Sequence, residues 1–176
     1  MNLLHDIDPG TTEEMNAIIE IPKGSQNKYE LDKATGLLKL DRANYSAAAY
    51  PCEYGFIPQT LWDDGDAVDV LVLASFPIPS GILVAIRPVG LMEMIDTGEN
   101  DYKIIGVPVN DRRWDDVQDI ADINKHTLRE LQHFFETYKD LKGKPAKVVI
   151  EGFKGKAEAV AAFERARKLY GEKKGA

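Results

Sequence analysis

Four carboxylates fall within seven residues in the stretch Asp63-Asp64-Gly65-Asp66-Ala67-Val68-Asp69, and the apolar run Val70-Leu71-Val72-Leu73 follows at once. That junction constrains the chain more than any other segment. Asp63, Asp64 and Gly65 suit a turn, because Asx side chains and glycine satisfy turn geometry. From Val68 to Ala74 the β-branched and aliphatic residues predict a strand. Side chains of extended chain alternate, so Asp64 and Asp66 project together, while Asp69 opens the strand on the face opposite Val68 and Val70. Carboxylates crowded this closely repel unless a cation or a proton neutralises them. No His or Cys stands among them, and oxygen ligands alone favour Mg²⁺, Mn²⁺ or Ca²⁺ over zinc. The spacing is not that of an EF-hand loop, whose Gly stands sixth and whose Glu stands twelfth. A solvated acidic turn ahead of a core strand is the plain alternative.

With 176 residues the chain is long enough for a sizeable core, and we expect a single domain over residues 1–176. The net charge of −7 opposes a nucleic-acid partner, yet local lysines, arginines and metal ions can still gather a small anion. Cys52 is the one cysteine, so an internal disulfide is excluded and a reducing, cytoplasmic setting is expected. The first residues lack a basic segment followed by an apolar run, so no signal peptide is expected. No apolar stretch reaches the roughly 18 residues of a membrane span.

Along the chain, strands are expected at Asn16–Ile21 and, as a hairpin, at Lys28–Leu31 and Leu37–Leu40, with Asp41-Arg42 following. Residues 43–58 are Tyr- and Ala-rich and Pro-bounded; they predict irregular chain crossing a site, with a short strand near Tyr54–Ile57. A long strand from Ile82 to Ile95, interrupted near Pro88 and Gly90, turns at Thr97–Asn100 and returns as Tyr102–Val109. The period then changes to three- and four-residue steps over Asn124–Leu141, an amphipathic helix with Gly143 as its stop. A strand at Lys147–Glu151 and a helix at Lys156–Tyr170, ended by Gly171, complete the pattern, and the tail from Gly171 to Ala176 is expected to fray. Strands first and helices last predict an α+β protein on an antiparallel sheet curled into a barrel.

Further groups bear on chemistry. Four turn residues separate Asp96 from Asp101, so the two carboxylates should face each other across the hairpin, a destabilising pair that a bound cation would relieve. Lys103 shares the strand face of Asp101, where it could compensate the charge or bind a phosphate. Lys28 and Glu30 share one face of their strand, with Glu20 on a neighbouring strand and Arg42 just beyond. Tyr50, Tyr54 and Tyr138 suit packing roles by default. Cys52 lacks an activating partner and reads as a buried thiol rather than a nucleophile. The combination of separate acidic clusters with Lys, Arg and Tyr, and neither nucleophile nor His base, suits a multi-metal phosphoryl site.

The ordered set Ile19-Glu20-Ile21-Pro22, Lys28-Tyr29-Glu30, Leu40-Asp41-Arg42, Tyr50-Pro51-Cys52-Glu53-Tyr54-Gly55, the acidic stretch, Asp96 through Lys103, and His133-Phe134-Phe135-Glu136-Thr137-Tyr138-Lys139 resembles the soluble family I inorganic pyrophosphatases of the short prokaryotic type. The resemblance runs over nearly the whole chain. It implies a five-stranded OB-like β-barrel with flanking strands and two main C-terminal helices, and Mg²⁺-dependent hydrolysis of pyrophosphate to two phosphates by a metal-activated water, with Mn²⁺ as a substitute. By matched position it implies Asp64, Asp69 and Asp101 as ligands of a tight metal site, Asp69 bridging to a second ion. Asp96 with Asp101 match a third site, and Glu30 with Glu20 the surroundings of a substrate-borne metal. Asp66 matches the general base toward the attacking water. Lys28, Arg42, Tyr54, Lys103, Tyr138 and Lys139 match the groups that hold phosphate, and Tyr50 lines the pocket. A homohexamer of two trimers is implied, with His133 at a subunit contact. Ala67 and Phe153 stand where the family usually has Pro and often has Trp.

The competing classes are a metal phosphatase for nucleotides or other phosphate esters, a barrel that binds single-stranded nucleic acid, and a structural metal-binding domain. Phosphate release from pyrophosphate, with and without Mg²⁺, separates them.

Overall fold

The structure, a computed structural model, describes residues 2–144 and 147–174. Among these residues nine strands and two α-helices follow one another as β1 (Met15–Ile21), β2 (Asn27–Leu31), β3 (Leu38–Ala43), β4 (Glu53–Phe56), β5 (Asp69–Val72), β6 (Leu83–Asp96), β7 (Glu99–Asn100), β8 (Lys103–Pro108), α1 (Lys125–Thr137), β9 (Val148–Lys154) and α2 (Lys156–Lys174). Strands β1, β4, β5, β8 and β6 pair in that order, and β6 pairs back onto β1 to close a five-stranded ring. This is the OB-like α+β barrel the sequence leads one to expect, with one difference: β5 and β8 run parallel. An odd number of strands closed into a ring cannot alternate direction throughout, so one pair must be parallel. The β2–β3 hairpin stands apart as its own two-stranded sheet.

Strand β5 explains its own composition. Val70 and Val72 pack into a buried cluster with Ala162, Phe163 and Ala166 of α2, and Leu71 joins another with Leu131, Phe134 and Phe135 of α1. A strand covered on both faces has no polar side to show, hence the unbroken apolar run. Long β6 reaches four partners because it bends: its register shifts between Pro88 and Gly90, where Pro88 lacks an N–H to donate.

Several boundaries differ from expectation. The β3 strand runs on through Asp41 and Arg42. Helix α1 stops at Thr137, after which a single 3-10 turn at Asp140–Lys142 ends on left-handed Gly143. Helix α2 passes through Gly171 to Lys174 rather than fraying there; one helical glycine costs about 1 kcal/mol, and Lys173 and Lys174 in the last turn suit the helix dipole. Of the expected loose tail, Gly175 and Ala176 lie outside the described residues, as does Pro145-Ala146 ahead of β9. No helix among the described residues is long and apolar enough to cross a membrane.

Candidate active site

A cavity of about 630 Å³ opens where β4, β5 and β8 end beneath the β2–β3 hairpin and the C-terminal end of α1. Face alternation places its floor. Asp69 continues the face of Leu71, and Lys103, its in-register neighbour on β8, continues the face of Ile105. Tyr54 pairs with Leu71 on the other side. Gly55 lets β4 approach β1 this closely, because a Cβ there would lie 1.9 Å from the Ile18 carbonyl oxygen.

The floor is a buried ionic cluster. The Lys103 ammonium, on a side chain only 1% exposed, lies 2.7 Å from Asp69 Oδ2 and 2.7 Å from Asp101 Oδ1. The Tyr54 hydroxyl donates to Asp69 Oδ2, and the rings of Tyr54 and Phe135 face the ammonium at 5.2 and 5.8 Å. Burial alone would lower the pKa of Lys103, but the charges of Asp69 and Asp101 reverse this and hold it above the usual lysine value. Burial pushes Asp69 up to about 6 against the pull of Lys103 and the Tyr54 hydroxyl. It also holds the Tyr54, Tyr50 and Tyr138 hydroxyls above their ordinary range, protonated and able to donate.

One wall is the acidic turn. The Trp62 N–H donates to the Asp66 carbonyl at 2.6 Å and the Gly65 N–H to the Trp62 carbonyl at 3.0 Å, with Gly65 at φ +86. Asp64 Oδ1 accepts from the Asp66 N–H at 2.9 Å. Desolvation, then the charges of Asp66 and Asp101, lifts the Asp64 carboxyl above its usual range. Asp66 is exposed and ion-paired to Lys33 of the hairpin turn.

The opposite wall is the hairpin. A bulge shifts the β2–β3 register so that Lys28 faces Arg42, Tyr29 faces Leu40, and Asp41 is the extra residue. Asp41 therefore serves both cations, 2.6 Å from Arg42 Nη1 and 3.5 Å from Lys28 Nζ. Glu30 accepts from Lys28 at 3.4 Å. Glu20, 8% exposed, accepts from the Leu31 N–H at 2.7 Å, and burial pushes its carboxyl up to about 8.

At the far rim the expected geometry needs correction. Thr97 and Gly98 both have positive φ and form a two-residue turn, so Asp96 faces Glu99 and not Asp101. Asp96 instead pairs with Lys139 just past α1; burial opposes ionisation, but the Lys139 hydrogen bond and charge hold the carboxyl below its usual range. Asp101 turns inward to Lys103.

Of the expected site residues, Glu20, Lys28, Glu30, Arg42, Tyr50, Tyr54, Asp64, Asp66, Asp69, Asp96, Asp101, Tyr138 and Lys139 all line this cavity, whereas Lys103 lies behind its floor. Asp41, Lys33 and Lys39 belong to the same setting and carried no periodic signal; the hairpin register, invisible before folding, brings them in. Cys52 is buried away from the cavity, and burial raises its thiol far above the reactive range.

As they stand, no three His, Cys, Asp or Glu side chains among the described residues converge tightly enough to hold a metal ion; Asp69 and Asp101 share Lys103, Asp66 and Asp96 pair with Lys33 and Lys139, and Asp64 and Glu20 accept from backbone N–H groups. The chemistry of the donors is nonetheless consistent. No His or Cys lines the cavity, and a buried ammonium between two half-buried carboxylates already marks the floor as a place for positive charge. The set fits a hard divalent cation with oxygen ligands.

A five-stranded barrel whose end carries carboxylates, lysines, an arginine and phenols around one cavity defines a class: an OB-like barrel hydrolase for a small, highly charged anion. The inorganic pyrophosphatase family model matches residues 17–171. The inorganic pyrophosphatase of Geobacillus stearothermophilus is 51% identical over 134 residues, covering 76% of this chain and 81% of that one. The soluble inorganic pyrophosphatase of Oryza sativa subsp. indica is 46% identical over 169 residues, covering 95% and 78%. The crystal structure of inorganic pyrophosphatase from Thermus thermophilus superposes with a TM-score of 0.93 at 41% identity, covering 97% of this chain and 99% of that one. The chain belongs to the inorganic pyrophosphatase family and is an inorganic diphosphatase, a hydrolase of the phosphoanhydride bond.

Proposed function

We propose that this cavity hydrolyses pyrophosphate to two orthophosphates with Mg²⁺ as its cation and Mn²⁺ as a substitute. The observation that carries the reading is the meeting, on one domain, of carboxylates with phosphate-binding cations in a cavity that no His or Cys lines. Asp64, Asp69 and Asp101 are the residues that would hold the tightest cation, with Asp96, Glu30 and Glu20 around further ions. When bound, the cations draw charge off the phosphate oxygens and make water more acidic.

The chain's own groups do the rest. Lys28 and Arg42, spaced by Asp41, grip one phosphoryl group from the hairpin; Tyr138 and Lys139 grip the other from the end of α1. Tyr54 donates its hydroxyl, and Lys103 offsets part of the negative charge of Asp69 and Asp101 from beneath. Water attacks one phosphorus, its proton passes to an Asp66 carboxylate oxygen, and the bond to the bridging oxygen breaks so that orthophosphate leaves. Asp66 must part from Lys33 to accept that proton.

The protein works as a homohexamer of two trimers in the cytoplasm, on pyrophosphate and without a nucleic-acid or membrane partner. Exposed His133 on α1 supports a subunit contact that acid would weaken through repulsion between imidazoles. Sedimentation at neutral pH showing only monomer would reject this assembly. The test of function is phosphate release from pyrophosphate with and without Mg²⁺, beside ATP and a phosphate monoester. Equal release from all three substrates would favour a general metal phosphatase instead.

A further inference from the structure

Asp64 and Asp66 ride on an exposed turn, yet the three residues ahead of them are fastened to helix α2. The Leu61 N–H donates to the Ala166 carbonyl at 3.0 Å. The Arg165 guanidinium stands 4.6 Å from the centre of the Trp62 ring and donates from Nη2 to Asp63 Oδ1 at 2.5 Å. One arginine thus covers the face of Trp62 and pairs with the residue after it.

Trp62 is also the base of the turn. Both backbone hydrogen bonds that close it involve Trp62, its N–H to Asp66 and its carbonyl from Gly65. Its ring is 7% exposed, packed in the cluster that includes Phe163 and Ala166. Beyond it, Gly65 and Ala67 supply no ring or bulk to stiffen the chain. The helix does not depend on Arg165 for its own docking: Ala159, Ala162, Phe163 and Ala166 are the buried face, and the Arg165 side chain is 47% exposed.

We propose that Arg165 is a positioning residue for the active site: through Trp62 and Asp63 it lets helix α2, a century of residues downstream, set where Asp64 and Asp66 stand. The proposal rests on the roles given above to those two carboxylates. The Arg165–Asp63 pair is partly open to solvent, so its removal should leave the fold intact, while a displaced carboxylate is felt strongly in catalysis.

The test is Arg165→Gln, with Arg165→Lys keeping the charge but not the flat stacking surface. In chelator-treated protein the Trp62 and Gly65 amides should exchange roughly 10-fold faster in Arg165→Gln, the combined order of an exposed ion pair and a cation–π contact. The Leu71 amide in the barrel should keep its wild-type rate. Mn²⁺ binding followed by electron paramagnetic resonance should weaken by about 3- to 10-fold on the same grounds, and Arg165→Lys should fall between. Turn exchange unchanged from wild type would overturn the proposal. So would Leu71 accelerating in step with the turn, since that is loss of the fold. Faster turn exchange with unaltered Mn²⁺ affinity would also overturn it, by cutting the turn's mobility from the site. Failure of the functional reading shows elsewhere, as wild-type protein that releases no phosphate from pyrophosphate.

Discussion

Asp69 and Asp101 sit at the ends of barrel strands, share a buried lysine, and keep only 22% and 20% of their side-chain exposure. Asp64 and Asp66 sit on a turn, and Asp66 and its partner Lys33 are 59% and 62% exposed. The same residue type facing the same cavity is thus fixed by the fold in one case and by local turn bonds in the other. Fixed, desolvated carboxylates suit holding a cation, because they need no reorganisation to receive it. Of the two turn carboxylates, Asp66, which must accept and release a proton at each turnover, is the solvated one, while Asp64 is partly desolvated and so resembles the floor carboxylates in suiting a cation.

Asparagine substitutions break this comparison most directly. Asp69→Asn should have the largest effect, because it removes one of the floor's two negative charges and leaves Lys103 short of a partner. Mn²⁺ affinity should collapse, with partial recovery of turnover at high Mg²⁺. Asp66→Asn should bind Mn²⁺ nearly as well as wild type and lose roughly 10² to 10⁴ in turnover, the usual share of a general base, with no recovery at high Mg²⁺. Asp64→Asn should resemble Asp69→Asn in kind and be milder. If Asp66→Asn loses metal as badly as Asp64→Asn, the division of labour is wrong; if Asp69→Asn is active at ordinary Mg²⁺, the floor is not the metal site.

The lysines sharpen the same contrast in stability. Lys103→Met leaves two largely buried carboxylates unpaired and should cost about 2–4 kcal/mol in chelator, a little below the loss from breaking a fully buried pair. Divalent cation should return part of that stability. Lys33→Met removes an exposed pair and should cost less than about 1 kcal/mol. Urea unfolding of both variants, with and without Mg²⁺, makes the comparison.

Much of this difference was legible in the sequence, and the part that was not has a common cause. Alternation from Val68 placed Asp69 on a strand and Asp64 and Asp66 on a turn, since that reading uses only neighbours along the chain. The amphipathic step from Leu128 to Phe135 likewise located α1. Asp96 and Asp101 do not face each other, because four intervening residues suggest a loop whereas positive φ at Thr97 and Gly98 tightens the turn to two. Lys103 was legible as a partner for the charge of Asp101, two residues before it on the same face, as well as a group for phosphate; its second partner, Asp69, comes only from the parallel pairing of β5 with β8. Arg165 and Asp63 are 102 residues apart, and nothing local to either announces the other.

Glu20 carries the comparison to a third, deeper carboxylate. Its carboxyl in the folded chain is raised from 4.5 to about 8, so between those values the folded state binds more protons than the unfolded one. Stability in chelator should therefore fall as pH rises through that window. Glu20→Gln keeps an oxygen for the Leu31 N–H and cannot ionise. It should be more stable than wild type by about 2 kcal/mol at pH 8, a discounted share of the shift, and equal to it near pH 4.5. Thermal unfolding at the two pH values decides; an equal difference at both would mean that Glu20 acts through packing alone.

The smallest effect on turnover belongs to Cys52→Ser. Cys52 lies two residues before Tyr54, in the cluster that includes Tyr50 and Phe134, close in sequence to the floor yet outside the cavity lining. Burial holds its thiol protonated, and a thiol in that state is no nucleophile. Serine there places a hydroxyl among apolar neighbours, which weakens the fold somewhat without touching Asp69, Asp101 or Asp66. Turnover at saturating Mg²⁺ should stay within about twofold of wild type, because water and not a side chain attacks phosphorus. Trapping a phosphorylated enzyme, or a loss of turnover out of proportion to the loss of folded protein, would overturn both this prediction and the assignment of the proton to Asp66.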